Sequence, residues 1–309
     1  MRKIKIIGCG AALPDHIVKF GDQTRYRMTE EQNLLDLAEK AVKEALSDSG
    51  LSIEKIDLIL GGTATPLQAI PCNAALLHER IAKGLSIPAF DVNSSCTSFI
   101  TAFDMASYLI DSGNYRNILI FSGDTASAAL NPKQRESYEL FSDTAVAFVV
   151  TACDGESGVI NSKQCTFSEG VHDTEIRGGC GLMTAFKMTE ANRDDYYFDM
   201  KGSRVLKLAA KKIPAFLNDF LEETGIAMED IDIIIPHQAS KALRLIMKRL
   251  GVPEDKYFDR VKDWGNMISA GIPMALYACI REGRIKRGNK IALFGTAAGL
   301  TINILYMIY

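Results

Sequence analysis

"LSDSGLSIEKIDLIL", Leu46 to Leu60, returns about 175 positions later as "LEETGIAMEDIDIII", Leu221 to Ile235. Leu46, Gly50, Glu54, Ile56, Asp57 and Ile59 are identical to Leu221, Gly225, Glu229, Ile231, Asp232 and Ile234. Each copy ends an amphipathic helix at a glycine suited to a left-handed C-cap, then enters an apolar strand, Leu58–Leu60 or Ile233–Ile235. A second pair keeps the same order: "GNYRNILIFSGD" (Gly113 to Asp124) and "RIKRGNKIALFGTA" (Arg284 to Ala297), each a helix end feeding an apolar strand that meets a glycine. Matched βα units in one order imply two pseudo-equivalent α/β halves. They are expected to divide as 1–155 and 156–309, with the turn-rich "CDGESGVINSK" (Cys153 to Lys163) at the junction.

The repeat extends by prediction. "KYFDRVKDWGNMISAGIPMALYACIREG" (Lys256 to Gly283) should copy the stretch around "FDVNSSCTSFITAFDMASYLI" (Phe90 to Ile110), with Phe258-Asp259 mirroring Phe90-Asp91 and a helix from about Ile272 mirroring the one after Cys96. Asn266 then falls in the turn that corresponds to the Cys96 turn. His237 follows three isoleucines in "IIIPHQASKALRLIMKRL" and precedes an amphipathic helix. Three reactive side chains therefore stand at strand ends, where the loops of open α/β sheets gather chemistry.

The chain of 309 residues is 47% hydrophobic and 24% charged, enough to bury a sizeable core. Its net charge of −3, from 35 basic and 38 acidic residues without long blocks, gives no bulk attraction to nucleic acid or an anionic membrane. Seven cysteines lack any CxxC pair, so reduced thiols are expected and no metal site is indicated. In "MRKIKIIGCGAALP" the apolar run is interrupted by Lys5 and broken by Gly8 to Gly10, which reads as a first strand and a turn rather than a leader peptide. No apolar segment has the length of a membrane helix. A cytoplasmic location is the expectation.

Among the cysteines, Cys96 stands where a strand signal turns into a helix. Unpaired N–H groups and the helix dipole favour thiolate there, and a nearby imidazole would add to it. Cys9, Cys153 and Cys279 fit strand ends or an apolar helix face, Cys72 and Cys165 have no partner signal, and Cys180 lies in a glycine-rich loop. His16, His78 and His172 sit in loop or mixed-polarity settings and are expected to be solvated, while His237 follows a fully apolar strand.

With "DVNSSCTSF", "PHQAS" and "WGNMISAGIP" in view, the chain resembles β-ketoacyl-acyl-carrier-protein synthase III, a family of the thiolase-like superfamily. "FSDTAVAFVV" (Phe141 to Val150), "MKGSRVLKLA" (Met200 to Ala209) and "GTAAGLTINILY" (Gly295 to Tyr306) extend the resemblance over nearly the whole chain in the family's order. It implies the duplicated thiolase-like fold in five layers, α-β-α-β-α, and a homodimer joined through the first half. It implies an acyl group carried on Cys96. His237 and Asn266 would then bind the carbonyl of a malonyl thioester on acyl carrier protein during decarboxylative condensation. The backbone N–H groups of Cys96 and Ala298 would form the oxyanion hole. Coenzyme A or carrier phosphopantetheine thioesters enter as substrates, and no metal or redox cofactor is required.

The sequence departs from the family between the first strand and the first helix. "LPDHIVKFGDQTRYRMTEEQNLLDLA" is shorter than the usual segment and lacks its tryptophan and R-T-G-I-x-x-R motif; the single tryptophan is Trp264. Arg135 matches the arginine that packs on adenine, although Glu136 replaces the following glycine. Gly202 and Ser240 fall at coenzyme A-binding positions, with Ser240 and Ala242 replacing an asparagine and an arginine. Lys241 and Arg244 keep positive charge nearby and could dock an acidic carrier. Two other readings fit the same residues: an acyltransferase that uses His237 as general base on another nucleophile, and a non-catalytic subunit of an acyl-transfer assembly. Arg177 with "GGCG" and the loop "EANRDDYYFD" (Glu190 to Asp199) read as surface turns.

Overall fold

A computed structural model describes all residues, 1–309. The first half runs β1 (Ile4–Ala12), a hairpin of β2 (Ile17–Phe20) and β3 (Gln23–Tyr26), α1 (Leu34–Ser49), β4 (Leu58–Gly61), α2 (Asn73–Ile81), β5 (Ala89–Asp91), α3 (Ser98–Asp111), β6 (Asn117–Asp124), α4 (Arg135–Tyr138) and β7 (Thr144–Ala152). The second runs β8 (Gly158–Gly170), a ribbon of β9 (Thr174–Glu175) and β10 (Asp199–Met200), α5 (Gly202–Thr224), β11 (Ile233–Pro236), α6 (Leu243–Arg249), α7 (Val261–Trp264), α8 (Gly271–Arg281), β12 (Lys290–Ala297) and β13 (Gly299–Ile308).

The quoted repeat is a structural one. α1 ends at Gly50 (φ 68°, ψ 13°) and α5 at Gly225 (φ 66°, ψ 16°), both left-handed. The repeated aspartates do the same task. Asp57 accepts from the backbone N–H groups of Arg116 and Asn117, at 2.8 Å each, and its own N–H donates to Asn117 O at 2.8 Å. Asp232 accepts from Lys290 N–H at 2.8 Å and the Asn289 amide at 3.1 Å, and its N–H donates to Lys290 O at 2.8 Å. A carboxylate thus satisfies donors at the start of the neighbouring strand in each half.

The two sheets have matching order, β1-β7-β6-β4-β5 and β8-β13-β12-β11. In the first, Ala89 of β5 pairs with Ile59. In the second, Tyr257 makes a single parallel bridge to Ile234, which puts Phe258-Asp259 in register with Phe90-Asp91 without a full fifth strand.

Period-two alternation sorts the layers. Leu58, Leu60, Ile118, Ile120, Val146, Phe148 and Val150 of one sheet, with Ile233, Ile235, Ile291, Leu293, Leu305 and Met307 of the other, pack on α3 and α8 between the sheets. The opposite faces, through Ile59, Leu119, Phe121 and Val149, meet Leu34, Leu37, Ala41 and Leu77 of α1 and α2. On the far side Ile234, Phe294, Ile302 and Ile304 meet Ile213, Phe216, Phe220 and Met247 of α5 and α6. The architecture is α-β-α-β-α. No helix is long and apolar enough to cross a membrane.

One boundary needs correction. β1 does not stop at Gly8 to Gly10 but continues to Ala12. A Cβ on Gly8 or Gly10 would stand 2.2 Å from Ala45 O or Ala41 O, so these glycines let α1 lie directly on the strand instead of turning it.

Candidate active site

β5 delivers the chain into a turn in which Asn93 Oδ1 accepts Ser95 N–H at 2.8 Å, Ser94 N–H donates to Ser98 Oγ at 3.0 Å, and Ser95 is left-handed at φ 55°. Cys96 follows, half-buried, two residues before α3 begins at Ser98. Its own backbone N–H and that of Ala298, in the corner between β12 and β13, both act on the sulfur. Burial, followed by the negative charge of Asp124, pushes the Cys96 thiol up to about 12 against the pull of those two donors. This corrects the expectation of a resting thiolate: desolvation of the charged form outweighs the helix terminus.

His237 follows β11 and is 5% exposed. Its N–H donates to Phe294 O at 2.8 Å. The adjacent Gln238, buried, donates through Nε2 to Pro236 O at 2.9 Å and Phe258 O at 3.0 Å, and accepts Arg260 N–H at 2.8 Å. It staples the histidine loop to the Phe258 segment. Burial lowers the imidazole pKa to about 4, so the ring is neutral near pH 7. Nδ1 has no hydrogen-bond partner and lies against the start of α8, where a Cβ on Gly271 would be 3.4 Å away. A buried lone pair facing a helix N-terminus is cheaper than an orphaned N–H, which assigns the proton to Nε2.

Asn266 is fixed on both sides. Its N–H donates to Leu140 O and its carbonyl accepts Ser142 N–H, each at 2.9 Å. Oδ1 accepts Ile268 N–H at 2.8 Å, and Nδ2 donates to Ala239 O at 3.3 Å. The amide orientation is thereby set, with the donor end beside the histidine loop.

Cys96, His237, Asn266 and Ala298 line one cavity of about 420 Å³, walled by Phe141, Ile176, Phe198, Met200, Leu208 and Leu300. A neutral thiol with two backbone donors at its sulfur, a neutral imidazole and an oriented carboxamide can together form an acyl thioester and stabilise negative charge on a carbonyl oxygen.

The other expected positions lie apart from this cavity. Arg135 is exposed on α4 and paired with Glu139 at 2.6 Å. Gly202 opens α5 beside the Glu136 carboxylate, which would be 3.1 Å from a Cβ there. Ser240 shares with His237 a narrow neighbouring cavity of about 40 Å³, and its hydroxyl accepts Ala242 N–H at 3.2 Å. Lys241 is exposed, and Arg244 is exposed and bound to Asp259 at 2.8 Å. Arg177 is more than a surface turn: it bonds Asp195 and Glu175 and closes the base of the excursion between them. His78 is not solvated either. It sits in the last turn of α2 with Nε2 buried and unpartnered.

Sequence reasoning passed over Asp124 and Gln238. Asp124, at the end of β6, is 1% exposed. It accepts from Ala64 N–H, Thr65 N–H and Thr65 Oγ at 3.1, 2.8 and 2.7 Å, and from Ser269 N–H and Oγ at 3.0 and 2.5 Å. Its position closing a strand was the available signal.

Two matched α/β halves in five layers, with a cysteine from one and a histidine and asparagine from the other in a shared cavity, define the thiolase-like class of acyl-transferring condensing enzymes. The family model for 3-oxoacyl-[acyl-carrier-protein (ACP)] synthase III matches residues 90–167, and the model for the C-terminal part of the same family matches residues 221–308. β-Ketoacyl-[acyl-carrier-protein] synthase III of Clostridium perfringens is 35% identical over 322 residues, covering 97% of this chain and 98% of that one. That of Aquifex aeolicus is 30% identical, covering 96% of each. The crystal structure of 3-oxoacyl-[acyl-carrier-protein] synthase III from Aquifex aeolicus superposes with a TM-score of 0.87 at 28% identity, over 99% of this chain and 100% of that one. The chain belongs to the 3-oxoacyl-[acyl-carrier-protein] synthase III family.

Proposed function

We propose that the protein loads an acyl group from a coenzyme A or carrier thioester onto Cys96 and condenses it with a malonyl thioester on acyl carrier protein. The observation that carries this reading is the single cavity holding the Cys96 sulfur beneath two backbone N–H groups, with His237 and Asn266 in its wall.

In the first step the sulfur attacks the thioester carbonyl, and the Cys96 and Ala298 N–H groups receive the oxyanion. The donor's C–S bond breaks, and the thiol proton ends on the departing thiol. In the second step the malonyl carboxylate leaves as carbon dioxide, its C–C electron pair passing into an enolate. His237 Nε2–H and Asn266 Nδ2–H hydrogen-bond the enolate oxygen. The carbanion attacks the acyl-cysteine carbonyl, the oxyanion again meets the same two N–H groups, its collapse breaks the C–S bond to Cys96, and the expelled sulfur takes a proton from solvent. These steps call for no metal or redox group. A neutral, Nε2-protonated histidine suits an electrophilic role, because it donates without first having to lose a proton.

The coenzyme A contacts are assigned to Arg135, Gly202 and Ser240 and the carrier-docking charges to Lys241 and Arg244, and we propose a cytoplasmic homodimer joined through the first half. The open edge of the first sheet supports the dimer: β5 is its outermost strand and carries Phe90, 38% exposed, on that unpaired edge.

The test is intact mass spectrometry after exposure to acyl-coenzyme A and acyl-carrier donors, followed by a malonyl-carrier chase. The reading expects one acyl adduct on Cys96, discharged with release of carbon dioxide. An adduct that malonyl-carrier leaves untouched would overturn the condensing step.

A further inference from the structure

Arg25 is the one fully buried arginine or lysine of the molecule, and the steps above do not use it. It lies on β3 of the short hairpin, is 0% exposed and forms no ion pair with a carboxylate. Burial lowers its pKa to about 10, which leaves it cationic near neutrality. An interior cation without a carboxylate partner is strongly unfavourable unless its donors are satisfied. Here they are met by oxygens from several segments. Nε donates to Glu139 O at 2.8 Å; Nη1 to Thr24 O, Lys262 O and Val261 O at 2.5, 3.1 and 3.3 Å; Nη2 to Gln23 Oε1 at 2.7 Å.

Two of those segments are the ones that hold Asn266. The residues after Glu139 supply Leu140 O to Asn266 N–H and Ser142 N–H to Asn266 O. α7 supplies Val261 O to Gly265 N–H at 2.9 Å. Between them Gly265 packs closely against the Arg25 side chain. Its φ is positive (69°, with ψ −157°), a conformation side chains avoid, and a Cβ there would stand 2.1 Å from Leu140 O and 2.5 Å from Arg25 Nε.

We propose that Arg25 is a positioning residue for condensation: its fork clips the 139–142 segment to α7 and so sets where the Asn266 carboxamide meets the malonyl thioester carbonyl. A lysine cannot replace it, since one ammonium cannot span three segments in a fixed plane. The hairpin that stands in place of the family's coenzyme A segment therefore serves the second chemical step. This inference rests on the reading of Asn266 given above.

The test separates the two half-reactions in Arg25→Lys, Arg25→Met, Asn266→Ala and the Arg25→Lys/Asn266→Ala double variant. Acyl loading of Cys96 is followed by intact mass, and decarboxylation of malonyl-carrier by carbon dioxide release. Displacing a reacting group by about 1 Å can cost about 10²-fold. Arg25→Lys is expected to lower decarboxylation by about 10-fold or more while loading stays within about 2-fold, and the double variant to be no slower than Asn266→Ala alone. Equal slowing of both half-reactions, or additive losses in the double variant, would overturn the proposal. Should Arg25→Met fail to fold, Arg25→Lys keeps the test intact. If Asn266→Ala decarboxylates normally, the reading of Asn266 fails, whatever the Arg25 variants do.

Discussion

The two halves build the same turn twice and use it differently. Ser95 (φ 55°) and Ile268 (φ 50°) are the only non-glycine residues with positive φ, each stands three residues before a central-layer helix, and each is followed by a small hydrogen-bonding side chain. In the first half that residue is Cys96; in the second it is Ser269. The surroundings are exchanged as well. Gly62 N–H donates to Phe121 O as His237 N–H donates to Phe294 O, so a glycine stands where the other half has its imidazole. Asp124 ends β6 where Ala297 ends β12. The Cys96 turn therefore meets backbone N–H and open cavity, whereas Ser269 is fully buried with its hydroxyl held by Asp124. One turn is left free to react, and its twin is locked as a joint between the halves.

The sharpest way to break this contrast is to exchange its central residues. Cys96→Ala should abolish the acyl adduct and cut turnover by on the order of 10⁴ or more. Ser269→Cys should gain no adduct in return; mass spectrometry reads both, and an acylated Cys at 269 would show that the second turn is not closed. Asp124→Ala leaves the backbone N–H groups of Ala64, Thr65 and Ser269 without their acceptor and should cost about 3 kcal/mol or more in urea unfolding, since each buried group left unpaired costs about 1–3 kcal/mol. Asp124→Asn should move alkylation of Cys96 by iodoacetamide to lower pH, because the carboxylate is one of the causes holding the thiol up.

The histidine adds a pH dependence that the glycine of the other half cannot. A pKa lowered from 6.5 to about 4 means the unfolded chain binds the extra proton first as pH falls. That contribution to stability is complete above about pH 6.5 and is lost between there and pH 4, by on the order of 3 kcal/mol. Urea midpoints of His237→Asn should fall less over this window than those of the natural chain. The smallest effects test the sameness of the halves. Gly50→Ala and Gly225→Ala should each cost about 1 kcal/mol, and by the same amount, since both sites are left-handed with open space around them.

The repeat was readable because its signals are local: a cap glycine, an aspartate that closes a strand start, and period-two apolar runs. The mirror of Phe90-Asp91 in Phe258-Asp259 was readable for the same reason. The register of the reactive turn was not. Alignment by sequence puts Asn266 opposite the Cys96 turn, but backbone geometry sets Ser269 opposite Cys96, because α7 lengthens the second-half loop. Arg25, Asp124 and Gln238 escaped because their meaning lies in partners far along the chain, such as Lys262 for Arg25 and Ser269 for Asp124. The ionisation of Cys96 was misjudged because the helix terminus is visible in sequence, while the depth of burial is not.

The shared middle layer carries one more consequence. α3 and α8 are each sandwiched by both sheets, so neither half owns a complete interior. A protease nick in the exposed link between Cys153 and Gly158 should leave the two fragments associated and still competent for acyl transfer. Expressed separately, each fragment would turn an oily sheet face toward water and precipitate, and mixing the denatured pieces before refolding should be the only route back to a working particle.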